Sequence, residues 1–202
     1  MNTPAAASRR NDKVTSAAGL ALCVVLLIAS FLLSPAASAI KPADPDSPEA
    51  TVKAFYDICV EEKVTGLPTE AQFDELRPLI SEALYGLLAD ARMEQAEFSR
   101  ENPYEKPPWI EGDLFSSLFE GPTRFTIGET VIDGKRATVT IDFVDDSPSD
   151  ATPFRWHDDV VLVQNSEGDW LVDDIVYRGD WDFASKGRLS DTLSPHTMED
   201  DE

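Results

Sequence analysis

The sequence predicts an α+β domain, with three helices preceding and packing on a curved antiparallel sheet of about four strands. Three observations predict it. Apolar residues recur at helical spacing between residues 47 and 100, the period falls to two from Thr123 onward, and turn residues cut the second half into short runs.

The helices come first. Ser47-Pro48 is a helix start, with serine as N-cap and proline at the first helical position, and Val52, Phe55, Tyr56 and Cys59 follow on one face. Cys59 is read there as a small apolar core residue rather than a nucleophile. "TGLP" at 65–68 ends this helix, and Thr69 with Gln72 forms a capping box for a second one that Pro78 interrupts. Ser81 caps a third helix to about Arg100, with Leu84, Leu87, Leu88, Ala91 and Phe98 on one side. Residues 102–122, "NPYEKPPWIEGDLFSSLFEGP", hold four prolines and two glycines around apolar residues. That composition predicts an ordered excursion across one end of the sheet, not a free linker.

The strands follow. Phe125 and Ile127 alternate with polar neighbours, Asp133-Gly134 supplies a hairpin turn, and Ala137, Val139, Ile141 and Phe143 alternate again. After the polar loop "DDSPSDATP" at 145–153 comes a strand over 154–164, a turn at 166–169 and a last strand over 170–177. Strict alternation puts Trp170, Val172, Asp174 and Val176 on one face and Leu171, Asp173, Ile175 and Tyr177 on the other.

The ends carry different signals. Residues 1–39 read as a signal peptide: Arg9, Arg10 and Lys13 precede an apolar run over 17–33, and Ala37-Ser38-Ala39 offers a cleavage site. An uncleaved N-terminal anchor is the alternative, because a run of 17 residues reaches the lower limit of a membrane span. Ser8-Arg9-Arg10 has the arginine pair of a twin-arginine signal, but Asp12 and Lys13 stand where that signal needs apolar residues. The expected location is therefore periplasmic or secreted, or membrane-anchored if the segment stays. Residues 40–46 form a linker, 47–193 the domain, and 194–202 an acidic tail expected to be disordered.

Cleavage after Ala39 removes three basic residues and one acidic residue, taking the formal charge from −21 to −23. Such a chain repels nucleic acid and anionic lipid surfaces, so nucleic acid is not an expected partner and a membrane is one only if the N-terminal segment remains as an anchor. It also retains a single cysteine, Cys59, so no disulfide forms within it.

Particular residues resemble the nuclear transport factor 2-like superfamily. "SPEATVKAFY" is similar to that superfamily's first helix and "GDWLVDDIVY" to its last strand, where a Gly-x-Trp turn leads into alternating apolar residues. More narrowly, "EGDLFSSLFEGPTRFTIGE" with "WLVDDIVY" resembles small bacterial envelope domains of unknown function, over roughly residues 47–193. The resemblance implies a cone, its sheet wrapped around helices with one open mouth. The superfamily includes isomerases, dehydratases and non-catalytic binding domains, so function has to come from the site.

Asp174 is the one chemical candidate. In an apolar cone its carboxyl would serve as a general base, and in the competing reading it accepts hydrogen bonds from a loop or an arginine such as Arg178. Adjacent Asp173 points the other way, so the two cannot act as a dyad. His157, the only histidine before the tail, turns away from the apolar face of its strand, and a usual zinc site lacks ligands. Asp145, Asp146, Ser147 and Asp150 offer oxygens to calcium, but without the spacing or closing glutamate of an EF-hand. No phosphate loop or dinucleotide fingerprint is present, and no metal or cofactor is expected. Trp109, Phe115, Trp156, Trp170, Tyr177, Arg178 and Trp181 are the candidate binding residues, as the lining of an apolar pocket or, for the tryptophans and phenylalanines, as core. Trp181, between Asp180 and Asp182, is the one least easily assigned to a core.

The expected function is thus an exported, non-catalytic domain that binds an envelope protein or a small apolar ligand. An isomerase- or dehydratase-type enzyme using Asp174 is the first alternative, and a structural subunit of an envelope assembly, which self-association as a homodimer through the sheet would favour, is the second.

Overall fold

A computed structural model describes residues 46–147 and 152–194. The expected signal segment, most of the linker, Asp150 and nearly all of the acidic tail lie outside the described residues. Within them the order is α1 (Pro48–Glu61), α2 (Glu70–Leu76), a 3-10 turn (Arg77–Leu79), α3 (Glu82–Glu101), β1 (Arg124–Asp133), β2 (Arg136–Asp145), β3 (Phe154–Gln164), β4 (Trp170–Val176) and α4 (Leu189–Leu193).

The helix starts form where local chemistry puts them. The Ser47 hydroxyl accepts from the Ala50 N–H, Thr69 and Gln72 make a reciprocal capping box, and Ser81 caps α3 through the Leu84 N–H. Pro78, lacking a donor, falls in the 3-10 turn that separates α2 from α3. The hairpin β1–β2 closes on two residues, Gly134 and Lys135, because Gly134 takes φ +59° at no steric cost.

The strands lie in the order β1-β2-β3-β4, each antiparallel to its neighbour. α1 packs on the sheet with Val52, Phe55 and Tyr56 fully buried against Ala137, Val139, Ile141 and Phe143. Rings fill this space: the Tyr56 ring lies 5.1 Å from Phe55, 5.2 Å from Phe143 and 5.8 Å from Phe125, and Phe115 closes on Phe55 at 5.3 Å. The excursion over 102–122 enters here without regular secondary structure. Its middle is pinned by two tyrosines, the Tyr56 hydroxyl donating to the Phe115 carbonyl at 2.7 Å and the Tyr177 hydroxyl to that of Leu114 at 2.6 Å.

β4 departs from the expected alternation. Leu162 pairs with Val172 but Val161 pairs with Asp174, which leaves Asp173 as an extra residue in a β-bulge. The bulge passes the core face from Trp170 and Val172 to Ile175 and Tyr177, all buried. Asp174 therefore does not share the face of Val172, and the expected placement of Asp174 with Trp170 is corrected.

The outer edge of β4 is covered. Ile80 and Arg188 each form an isolated bridge to it, the Tyr177 N–H donates to the Gly187 carbonyl, and α4 follows with Leu189 and Leu193 buried. This short helix was not among the expected elements. It joins the excursion through the Trp109 indole, which donates to the Thr192 carbonyl at 3.2 Å.

Candidate functional site

One polar residue sits in the apolar stripe of β3. Trp156, Asp158, Val160 and Leu162 share the core face, and Asp158 is fully buried. A buried carboxylate has to be hydrogen-bonded, and this one is held by three donors from two distant loops. The Ser117 hydroxyl and the Arg178 N–H, at 2.7 Å, donate to Oδ1, and the Ser117 N–H donates to Oδ2 at 2.8 Å. The Ser117 hydroxyl oxygen in turn accepts from the Gly179 N–H at 3.0 Å, and the Ser117 carbonyl accepts from the Ser185 N–H. Asp158 is thus a clasp, fastening the excursion and the loop after β4 to the middle strand of the sheet. Burial raises its pKa, and the hydrogen bonds from Arg178 and Ser117 oppose that rise. The Trp156 indole N–H lies close enough to oppose it too, yet forms no well-aligned hydrogen bond.

What the clasp holds at the surface is a group of aromatic rings. Trp181, from the loop after β4, stands edge-on to Phe154 at 4.9 Å and to Trp156 at 6.2 Å. Beside Trp181 is a recess of about 460 Å³, lined by Leu118, Phe119, Glu120, Trp181 and Phe183. Phe183 is 91 % exposed, Phe119 55 % and Phe154 42 %, so the patch offers large apolar surface to solvent. Gly179 lets the loop come this close. A Cβ there would stand 2.6 Å from that of Ala184 and 2.8 Å from both the Ser117 Cβ and the Trp181 ring.

Charge around the patch is one-sided. Glu120, Asp180 and Asp182 are exposed and have no ion-pair partner among the described residues. No cation lines the recess: Arg178 pairs with Asp159 at 2.8 Å, the Lys186 ammonium is held within the same loop by the carbonyls of Gly179 and Trp181, Arg124 pairs with Asp146, and Arg155 lines the recess between α1 and β1.

A second carboxylate, Asp113, lies at the base of the same excursion beside a 440 Å³ recess that Cys59, Lys63 and Glu120 also line. Its Oδ1 accepts from the Phe115 N–H at 2.6 Å, and its own N–H donates to the Phe119 carbonyl. Burial pushes its carboxyl up to about 7; backbone donors from Phe115 and Ser116 pull the other way, and the charge of Asp158 adds to the rise. Burial likewise pushes the Cys59 thiol up, which keeps it protonated and unreactive. A third recess of 550 Å³, between α1 and β1, is lined by charged residues of both signs, Lys53, Asp57, Glu61 and Arg124 among them.

The expected site residues do not form one site. Trp156, Phe115 and Trp170 are core, with the Trp156 ring meeting Trp181 beneath the patch, Tyr177 is a core residue with its hydroxyl on the excursion, and Trp109 braces α4. Asp174 lines none of the three recesses. Its Oδ2 accepts from Arg188 at 2.7 Å and the Ser190 hydroxyl at 2.8 Å, and its Oδ1 from the Ser190 N–H at 3.1 Å. It anchors α4. In the loop considered for calcium, Asp146 is taken by Arg124 and Thr123, and among the described residues no group of three or more His, Cys, Asp or Glu is placed to hold a metal. Sequence reasoning missed Asp158 and Asp113. Alternation from Trp156 to Val160 signals the first; nothing local signals the second.

Neither protein-family models nor curated proteins yield a match to this chain.

Proposed function

We propose that this is an exported, non-catalytic binding domain that engages a protein partner of the cell envelope through the aromatic patch around Trp181. One observation carries the reading: Phe119, Phe154 and Phe183 stand exposed together around a tryptophan, on a loop clasped to the sheet. Isolated exposed apolar residues need no explanation, but a set grouped from β3, the excursion and the loop after β4 favours association. Further features support it. The core between α1 and β2 is filled by rings, the recess between α1 and β1 is lined by charged residues of both signs, and Asp174, which an isomerase or dehydratase of this kind would use, lines no recess and is committed to Arg188 and Ser190. Export rests on the signal-like residues 1–39, and the element order supports a place in the nuclear transport factor 2-like superfamily, with the cone as its finer form.

The test is a photo-crosslinking residue placed at Phe183 in the full chain and, as a control, at the exposed His157 on the other face of the sheet. Irradiation of intact cells is expected to give a discrete protein adduct from position 183 alone, lost on Trp181→Ala. Equal labelling from both positions, or an adduct indifferent to Trp181→Ala, rules the patch out.

A further inference from the structure

The patch has a recess, and the carboxylates at the recess have no ion-pair partner among the described residues. Phe119, Trp181 and Phe183 line it with aromatic rings, Glu120 contributes a carboxylate to the same lining, and Asp180 and Asp182 flank Trp181 in sequence. Aromatic faces are negative at their centres and attract cations, and a neighbouring carboxylate strengthens that attraction. An anionic or neutral apolar group would meet these carboxylates unpaired. Arg178 and Lys186, the basic side chains nearest in sequence, are turned to Asp159 and to backbone carbonyls.

We infer that the recess between Phe119, Trp181 and Phe183 receives a cationic side chain, an arginine or lysine set among apolar residues in a segment of the partner protein. This rests on the patch being the docking surface, and adds the chemistry it selects. The chain's formal charge of −21 extends the same preference beyond the recess, since it speeds encounter with basic segments and discourages acidic ones. Guanidinium suits the site better than ammonium, because a planar group stacks on a ring while bonding a carboxylate at its edge.

Three blocked pentapeptides test this on the full chain: Leu-Arg-Leu-Arg-Leu, the same peptide with citrulline for arginine, and the same with glutamate. Citrulline keeps the shape and loses the charge. Binding is followed by the indole N–H resonance of Trp181, assigned from its loss in Trp181→Phe. The arginine peptide is expected to bind at least about tenfold more tightly than the citrulline peptide, the glutamate peptide not at all, and the gap to close in Glu120→Gln/Asp180→Asn/Asp182→Asn. Equal affinity for arginine and citrulline overturns the cation preference and leaves the patch as an apolar docking surface. A gap that survives the triple substitution moves the cation away from this recess and overturns the inference. If no peptide shifts the Trp181 resonance, the cation preference and the docking surface fall together.

Discussion

Removing the Asp158 carboxylate would strand three donors at once: the Ser117 hydroxyl and the N–H groups of Ser117 and Arg178. Asp158→Ala is expected to cost about 3–5 kcal/mol in urea unfolding, and Asp158→Asn less, because the amide oxygen still accepts. Gly179→Ala acts on the same clasp from outside. With three neighbours inside 3 Å of the new methyl, it should displace Trp181 and reduce partner binding more than it reduces stability, read by the Trp181 resonance beside an unfolding curve. Asp113 makes stability depend on pH. Its folded pKa of about 7 lies above the ordinary carboxyl value of 3.8, so the folded state holds the proton more tightly, and the contribution of Asp113 to stability is fully present below 3.8 and is lost as pH rises through about 7. Asp158 is shifted in the same direction. Between pH 5 and 8 the urea midpoint should fall, and Asp113→Asn should flatten that slope by up to about 3 kcal/mol. Of these residues, Asp158 was within reach of the sequence, as one polar residue in an apolar alternation. Its partners were not, since Ser117 and Arg178 are 41 and 20 positions away.

At the level of elements, the three main helices and four strands were legible because capping residues and periodicity act locally: Ser47, Thr69 and Ser81 each cap the helix their sequence position announces. The bulge at Asp173 was not. Two consecutive aspartates fit either strict alternation or an inserted residue, and the choice is made by Val160 and Leu162 across the ladder. α4 escaped for a related reason: five residues with two leucines have too little periodicity to stand out. It depends instead on Asp174, which holds Arg188 and both donors of Ser190. Asp174→Ala should therefore cost about 1–3 kcal/mol and speed hydrogen exchange over residues 187–194. Trp109 fluorescence is expected to change with it, because the indole loses its carbonyl on α4.

For the whole molecule, the surplus of negative charge opposes compactness and would at the same time favour the basic partner proposed above. Added salt should raise the unfolding temperature by screening self-repulsion, while weakening association with the partner. A patch that worked by apolar contact alone would show only the first effect. The aromatic candidates were visible in composition, but composition does not say which rings are spent on the core. Phe55, Tyr56, Phe115 and Phe143 fill the interior, Phe119, Phe154 and Phe183 are exposed, and Trp181 is half-buried, packed against the core.

The clasp also sets when the patch comes into existence during folding. Ser117 meets Asp158 across 41 residues and Gly179 across 62, so the rings take their places only after the excursion, β3 and the loop beyond β4 have all arrived. Contacts of such long sequence separation are late and slow to close. A partner that reads this surface would consequently pass over nascent and partly unravelled copies, and docking would serve as proofreading of the finished chain.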